Sequence, residues 1–198
     1  MSVFNPEEQN KHTDSKIVAG IERLSQVFRT LLWDQAKAQQ LSPIQVQLLI
    51  FIRYHNPDKN NVSYLAREFG VTKPTISDAV RVLEEKGLVG RIVNETDNRR
   101  YSLALSRAGE KAVAASENFT APFSEWLAQR GQKEKEALWQ SLSGLIAALN
   151  ENGSISIQRH CFNCTHYRKK SNGHFCTLLE APLHTGDLRM DCPEHREH

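Results

Sequence analysis

The sequence predicts a mainly α-helical fold, built around a helix-turn-helix with long helices at both ends and a small cysteine-rich tail. Apolar residues recur every three or four positions through most of the first 150 residues, as they do on one face of a helix. Between residues 88 and 105 this period changes to the alternation typical of β-strands. All four cysteines follow residue 160. We therefore divide the chain into a helical domain, residues 1–150, and a cysteine-rich module, residues 151–198.

The composition excludes some classes of protein but does not identify a function. A net charge of +2 over 198 residues is too small to mark a nucleic-acid binder by itself, so the distribution of charge must decide. No apolar run approaches the ~20 residues that cross a bilayer. The first ten residues lack the basic and apolar regions of a secretory signal. We therefore expect a cytoplasmic protein.

Two helices are predicted in the first third of the chain. The first runs from about Lys16 to Gln40 as a long amphipathic helix. Its apolar stripe consists of Ile17, Ile21, Leu24, Phe28 and Leu31. A second helix is expected to begin at Pro43, because Ser42 and Gln45 have the spacing of a capping box.

Two shorter helices joined by a tight turn follow in the sequence. Residues 62–70 have the length of a two-turn helix, and Gly70 can supply the left-handed residue after its end. Thr72 can cap the next helix, which runs to a second glycine stop at Gly87. Its inward positions are Ile76, Val80 and Leu83. This arrangement is typical of a helix-turn-helix.

A β-hairpin and two further helices complete the helical domain. Residues 88–105 alternate in polarity on either side of a charged tip at residues 94–100, and such a hairpin after a helix-turn-helix is called a wing. Ser106 is expected to cap a helix that runs to about Gly131 with a kink at Pro122. A last helix should span residues 133–150. A small winged domain cannot cover the apolar stripes of both terminal helices, so we expect a homodimer.

These motifs resemble the MarR family of bacterial regulators over residues 16–150. The most specific stretches are residues 71–77, 83–89, 97–100 and 103–109. The resemblance implies a winged helix-turn-helix homodimer that places recognition helices in successive major grooves of double-stranded DNA and wing arginines in adjacent minor grooves. It also implies repression, the commonest mode of the family. A small-molecule effector is a further expected partner. Ser106 stands where the family usually has threonine, and the cysteine-rich tail lies outside its common body.

The second helix of the helix-turn-helix carries the first group of candidate DNA contacts. Its outer face presents Lys73, Thr75, Ser77, Asp78 and Arg81. Lys73 and Arg81 suit phosphate or guanine, and the hydroxyl groups suit bases or phosphates. Asp78 would be repelled by phosphate, so it either pairs with a base amino group or orients Arg81. The alternative interpretation is an ordinary solvated helix face.

The tip of the wing carries the second group of candidate DNA contacts. Asp97 can fix the guanidinium of Arg99 through charge-assisted hydrogen bonds, which lowers the entropy lost on entering a minor groove. Arg99 is therefore the strongest single candidate, while Arg91, Arg100 and Arg107 would contact phosphates. From Val71 to Arg107 there are seven Lys and Arg against five Asp and Glu. This excess is small, so tight binding requires two copies.

The four cysteines predict a metal site in the tail. Cys161 and Cys164 form a Cys-x-x-Cys pair, and Cys176 and Cys192 complete a set of four thiolates that suits zinc or an iron-sulfur cluster. Structural zinc would supply ~10 kcal/mol of folding free energy to a tail with few large apolar residues. A metal-free thiol switch is a third alternative. A histidine can also replace one thiolate, and the tail holds His160, His166, His174, His184, His195 and His198, of which His174 and His195 lie close to Cys176 and Cys192 in sequence.

Several functions are compatible with these features. The first is a DNA-binding transcription regulator whose affinity is adjusted by a small molecule or by the state of the cysteines, including redox or metal sensing. The second is a thiol oxidoreductase that uses Cys161 and Cys164, but no βαβ unit precedes them. The third is an interaction module in which the tail docks a partner protein. The sequence has no convincing nucleophile and base pair, phosphate loop or carboxylate pair, so we predict that the chain is not an enzyme.

Overall fold

A computed structural model describes residues 2–94, 97–155, 159–170 and 173–196, without the side chains of residues 94 and 97–100. The helices are α1 (Pro6–Lys11), α2 (Thr13–Ala38), α3 (Pro43–Tyr54), α4 (Val62–Glu68), α5 (Lys73–Glu85), α6 (Arg107–Ser116), α7 (Ala121–Ala128) and α8 (Gln132–Glu151). The strands are β1 (Val89–Asn94), β2 (Asp97–Leu105), β3 (Tyr167–Lys170), β4 (Gly173–Cys176) and β5 (Ala181–Leu183). The predicted mainly α-helical fold, with a wing after the helix-turn-helix, is confirmed.

The helix-turn-helix begins and ends where its capping residues predict. Ser42 and Gln45 form the expected capping box of α3. The hydroxyl of Thr72 accepts a hydrogen bond from the backbone amide of Thr75 at 3.3 Å, which fixes the first turn of α5. Gly70 and Gly87 follow α4 and α5 with φ values of 62° and 65°, a backbone conformation that favours glycine. Local chemistry therefore sets these boundaries.

One apolar core joins the helix-turn-helix to the base of the wing. It is formed by the inner faces of α3, α4 and α5 together with residues of β1, β2 and α6. Ile76 and Leu83 of α5 have no exposed surface, and Val80 is only 1% exposed, so all three predicted inward positions are confirmed. The packing of these side chains fixes which face of α5 remains in solvent.

The wing is an antiparallel hairpin tied to the helical core at its base. Its register runs from Val89 opposite Leu105 to Val93 opposite Tyr101. The backbone amide of Leu103 donates to the carbonyl oxygen of Asn60 at 2.7 Å. Because Asn60 also donates through Nδ2 to the carbonyl of Ile52 at 3.2 Å, the hairpin is held against the end of α3.

The prediction of a single kinked helix from Ser106 to Gly131 is wrong. The chain instead forms α6, a short 3-10 turn at Glu117–Thr120 and then α7. Pro122 lies in the first turn of α7, where the missing amide costs nothing, so the proline begins a new helix instead of bending an old one. The turn places Phe119 edge-on against Phe28 of α2, with ring centroids 5.1 Å apart. The short helix α1 was not predicted.

The tail forms a small antiparallel sheet in the order β3, β4, β5. It also contacts the helical domain along α8. The indole Nε1 of Trp139 donates to the carbonyl of Thr185 at 3.1 Å. Asn163 donates to the side-chain oxygen of Asn150 at 3.1 Å. Tryptophan fluorescence can therefore report whether the tail is docked.

Gly109 provides a stability test of the joint between the wing and α6. A Cβ atom at this position would lie 2.0 Å from the carbonyl oxygen of Leu88 and 3.3 Å from Cδ2 of Leu105. We expect Gly109→Ala to lower the free energy of unfolding by about 3 kcal/mol, because backbone atoms must move to accept the methyl group.

Urea unfolding followed by circular dichroism measures the effect of Gly109→Ala. Gly20→Ala is the matched control, since Gly20 lies within α2 and a Cβ there meets nothing within 4 Å. This control is expected to gain ~0.5–1 kcal/mol from helix propensity. Equal free energies of unfolding for the two variants would show that the backbone at Leu88 can move to accept the methyl group without loss of stability.

Candidate nucleic-acid interface and cysteine site

The outer face of α5 presents every candidate DNA contact that the sequence assigned to it. These exposed residues are Lys73, Thr75, Ser77, Asp78 and Arg81. Asp78 and Arg81 lie on the side of α5 opposite the buried stripe of the core, and Lys73, Thr75 and Ser77 lie nearer the edges of that stripe. The helix therefore offers short polar groups and cations to solvent along one face, as a helix that enters the major groove must do.

A shallow groove runs between α4 and α5 beside this face. It has a volume of about 590 Å³, and Ser63, Arg67, Gly70 and Lys73 are among its lining residues. The guanidinium of Arg67 lies 5.7 Å from the centroid of the Tyr64 ring. Two cations, a hydroxyl and the turn between two helices suit a negatively charged phosphate backbone.

Acidic neighbours orient the cation near the middle of α5. Arg81 forms ion pairs with Asp78 at 3.7 Å and with Glu85 at 3.0 Å, both on its own helix. All three side chains are well exposed, so these pairs position the guanidinium and add little stability. This geometry agrees with the interpretation in which Asp78 orients Arg81.

Arg91 links the wing to α5. Its Nε and Nη2 atoms donate to the two carboxylate oxygens of Glu84 at 2.6 and 2.9 Å. The guanidinium also lies 4.4 Å from the centroid of the Tyr101 ring. The hydrogen bonds to Glu84 raise the pKa of Arg91 above its ordinary value. Glu84 thus compensates much of the charge that Arg91 would offer to a phosphate.

The side chains of Asp97, Arg99 and Arg100 lie outside the described residues, so their roles stay predictions. The backbone of residues 97–100 belongs to β2, opposite the end of β1. Arg107, the last of the predicted phosphate contacts, is exposed at the start of α6.

Both long terminal helices carry apolar side chains in solvent. The exposed stripe of α2 consists of Ile17, Val18, Ile21, Leu24, Val27 and Phe28. Leu24 is 56% exposed and Ile17 is 55% exposed. On α8 the corresponding residues are Leu138, Leu142 and Leu145. No helix in the described part of the chain is both long and apolar enough to cross a membrane.

The four cysteines of the tail meet at one small cavity. Cys161, Cys164, Cys176 and Cys192 all line it, and none of them forms a disulfide. Its volume is about 30 Å³. Burial raises the pKa of the Cys161 thiol, a shift that a bound cation would oppose.

The cysteine cavity lacks a preformed ligand geometry. Among the described residues no group of three or more histidine, cysteine or acidic side chains is placed to hold a metal ion. His174 and His195, the predicted substitutes, contact Tyr167 at 2.6 Å and Asn163 at 2.8 Å. His166 lines the cavity instead, and its buried Nε2 atom has no hydrogen-bond partner.

A buried cation that was not predicted lies between the tail and the helix-turn-helix. Arg159 is 7% exposed, and its guanidinium pairs with Glu68 of α4 and with Asp191 of the tail. Burial by itself would lower the pKa of Arg159, but hydrogen bonds to both carboxylates raise it above its ordinary value. Burial would likewise raise the pKa of Asp191, but hydrogen bonds from His55 and Arg159 hold it well below its usual range. No local pattern pairs residues so far apart in the sequence.

Comparison with known proteins agrees with this description. The model of the MarR family matches residues 39–100. S. aureus MepR in its DNA-binding conformation is similar in structure, with 23% identity and a TM-score of 0.58 over 67% of this chain and 98% of MepR. The S. aureus MepR-DNA complex has 23% identity and a TM-score of 0.56 over 65% and 93% of the two chains. A mutant of S. aureus MepR has 25% identity and a TM-score of 0.51 over 67% and 97%.

The matched segment covers α3, α4, α5 and most of the wing, which are the elements that form the candidate interface. The matched family consists of transcription regulators, which agrees with the prediction that this chain is not an enzyme. The structural similarities support the fold of the helical domain. Residues 39–100 therefore match the model of the MarR family, and the helical domain has the winged-helix fold of the similar structures.

Proposed function

We propose that this chain is a sequence-specific DNA-binding transcription regulator that acts as a homodimer. The observation that carries the proposal is that α5 is amphipathic, with a buried apolar face and an exposed polar face. Its inner face is completely buried, while its outer face presents cations and short polar groups beside a groove lined by Arg67 and Lys73. A MepR-DNA complex among the similar structures supports the same use of this fold.

The apolar stripe of α2 supports the homodimer. Six large apolar side chains on one helix are each more than a third exposed. A contiguous apolar face of this kind costs free energy in water, and a second copy of the chain would cover it through a symmetric contact. Two copies would also double the modest positive charge that each wing and recognition helix brings to DNA.

Repression and control by a small molecule complete the proposed regulator. A dimer that occupies successive major grooves excludes other proteins from the same stretch of duplex, which accounts for repression. These two features rest on the resemblance to the MarR family.

The tail is proposed to hold structural zinc through Cys161, Cys164, Cys176 and Cys192. Four thiols that line one cavity support this assignment, because four thiolates are a common ligand set of structural zinc. When bound, zinc would link the segments that carry the cysteines and supply folding free energy to the tail. His166 is the additional candidate ligand, because its unpaired Nε2 atom is buried in the cavity wall.

Arg99→Ala tests the role of the wing. We expect the substitution to weaken binding to a specific duplex by ~1–3 kcal/mol, because a guanidinium is lost from the minor groove. Fluorescence anisotropy with a labelled duplex, selected by the protein from a random-sequence pool, measures the change at fixed salt concentration.

Arg130→Ala is the matched control for Arg99→Ala. Arg130 is stacked on Trp126 at 4.1 Å and pairs with Glu134, and neither partner belongs to the wing or to α5. The control variant should bind the duplex like the wild type. Equal binding by Arg99→Ala would exclude Arg99 as a contact, and failure of the wild type to bind any duplex at low salt would refute the proposed function.

A further inference from the structure

Arg159 forms a buried contact between the cysteine tail and the helix-turn-helix. Its Nη1 and Nη2 atoms donate to the two carboxylate oxygens of Glu68 at 2.6 and 2.9 Å. Nη1 also donates to the hydroxyl of Tyr64 at 2.9 Å, and the guanidinium lies 5.4 Å from the centroid of the Phe51 ring. One side chain of the tail thus contacts both α3 and α4.

On the tail side, Arg159 is tied to the backbone that carries two of the cysteines. Its carbonyl accepts a hydrogen bond from the amide of Cys192 at 3.0 Å, and Asp191 pairs with its guanidinium. The amide of Cys161 donates to the carbonyl of Arg189 at 3.1 Å, while the amide of Arg189 donates to the sulfur of Cys161 at 3.2 Å. The position of Arg159 therefore depends on how the Cys161 and Cys192 segments are held together.

On the other side, the contact reaches the end of α4, directly before the turn of the helix-turn-helix. Glu68 is the last residue of α4, and its side chain is only 15% exposed. Gly70 then reverses the chain, and the amide of Val71 donates to the carbonyl of Ala66 at 3.0 Å. Since α5 begins two residues after Val71, this turn aims the recognition helix.

His55 strengthens the same junction from the end of α3. Its Nε2 atom lies 2.6 Å from Oδ2 of Asp191, and its Nδ1 atom lies 2.8 Å from the carbonyl of Phe51. The imidazole is stacked on the Phe51 ring, with centroids 3.7 Å apart and planes within 3°. Asp191, the residue next to Cys192, is thus fixed between Arg159 of the tail and His55 at the end of α3.

We propose that occupation of the four-cysteine site by zinc is transmitted to the helix-turn-helix through Arg159, so that the zinc-loaded protein binds DNA more tightly than the zinc-free protein. Zinc would hold the Cys161 and Cys192 segments in the register that aims Arg159 and Asp191 at α4 and α3. Without that link, Glu68 loses its buried cation and the turn before α5 loosens. This inference rests on the proposed function, both for the zinc site and for DNA binding.

The first test compares zinc-loaded full-length protein with the same protein after chelation, using one labelled duplex selected from a random pool. We expect chelation to weaken binding at least tenfold. Arg159→Gln should keep one zinc per chain by elemental analysis, bind the duplex as weakly as the zinc-free wild type, and lose the response to chelation. Arg168→Gln is the matched control, because Arg168 donates to carbonyls of Thr165 and Tyr167 in its own segment. The control should respond like the wild type.

Glu68→Gln is a second, independent test, which is needed because Arg159→Gln could fail to fold. It removes the carboxylate on α4 while the pair between Arg159 and Asp191 remains in the tail. We expect zinc-loaded Glu68→Gln to bind DNA at least tenfold more weakly than the wild type, with an unchanged zinc content. A response to chelation of wild-type size in this variant would overturn the inference.

Backbone hydrogen exchange provides a readout that does not depend on DNA. In the wild type, chelation should accelerate exchange of the amides of Phe69, Gly70 and Val71 at least tenfold, whereas in Glu68→Gln these amides should exchange fast in both states.

If the wild type binds DNA and zinc, but neither exchange nor affinity responds to chelation, the inference is wrong and the proposed function stands. If it binds zinc and no duplex, the proposed function fails, and exchange alone decides whether the link exists. If it binds no zinc, the inference fails together with the zinc assignment.

Discussion

Cys176→Ser is expected to abolish zinc binding and to unfold the tail while the winged-helix core stays folded. The tail has few large apolar residues, and its aromatic contacts, such as that of Phe162 with Tyr167 at a centroid separation of 5.4 Å, form one small cluster. A structural zinc ion contributes ~10 kcal/mol of folding free energy in small domains, which exceeds what these contacts supply. Loss of a single thiolate therefore removes most of the stability of the tail.

Elemental analysis and tryptophan fluorescence together measure this effect. The wild type should contain one zinc per chain, and Cys176→Ser should contain none. The emission of Trp139 should shift to the red as its hydrogen bond to Thr185 breaks. Thr177→Ser is the matched control, because this neighbouring residue is exposed and keeps its hydroxyl. Both zinc and fluorescence should be unchanged in this control.

Two other results would contradict the zinc assignment in different ways. Iron in the anaerobically purified protein, with absorbance near ~400 nm, would indicate an iron-sulfur cluster. Absence of any metal, with a folded tail whose thiols oxidise reversibly, would indicate a thiol switch. Either result would leave the assignment of the winged-helix domain intact, since that domain contains none of the cysteines.

The double substitution Ile17→Glu and Leu24→Glu is expected to convert the protein to a monomer. Both side chains are more than half exposed on the stripe of α2, so the change should not disturb the fold of one subunit. In a symmetric dimer each glutamate would be desolvated at the interface without a partner charge. Because a monomer reaches only one half-site, its affinity for duplex DNA should fall by about 100-fold or more.

Analytical ultracentrifugation at micromolar concentration, followed by anisotropy with the selected duplex, checks this expectation. Gln26→Glu is the matched control, since it adds the same charged group to α2 on the side opposite Leu24. It should remain dimeric and bind DNA normally. A wild-type protein that sediments only as a monomer would refute the homodimer, and dimeric double-mutant protein would place the interface elsewhere.

The sequence alone determined the parts of the fold that depend on neighbouring residues. The boundaries of α3 and α5 follow from Ser42 and Thr72, whose side chains bond the first helical turns. The buried and exposed faces of α5 follow from the spacing of Ile76, Val80 and Leu83. The four cysteines could be predicted to lie together because a metal ion is bound by several thiolates at once. In the structure all four line one cavity.

Only the tertiary structure decided how distant segments meet. The sequence could not tell whether Pro122 bends a helix or begins one, because that depends on the contact of Phe119 with α2. It could not join Arg159 to Glu68, which lies 91 residues earlier. Capping and periodicity act within a few residues and can be read locally, whereas a buried ion pair forms only where packing excludes water from both partners.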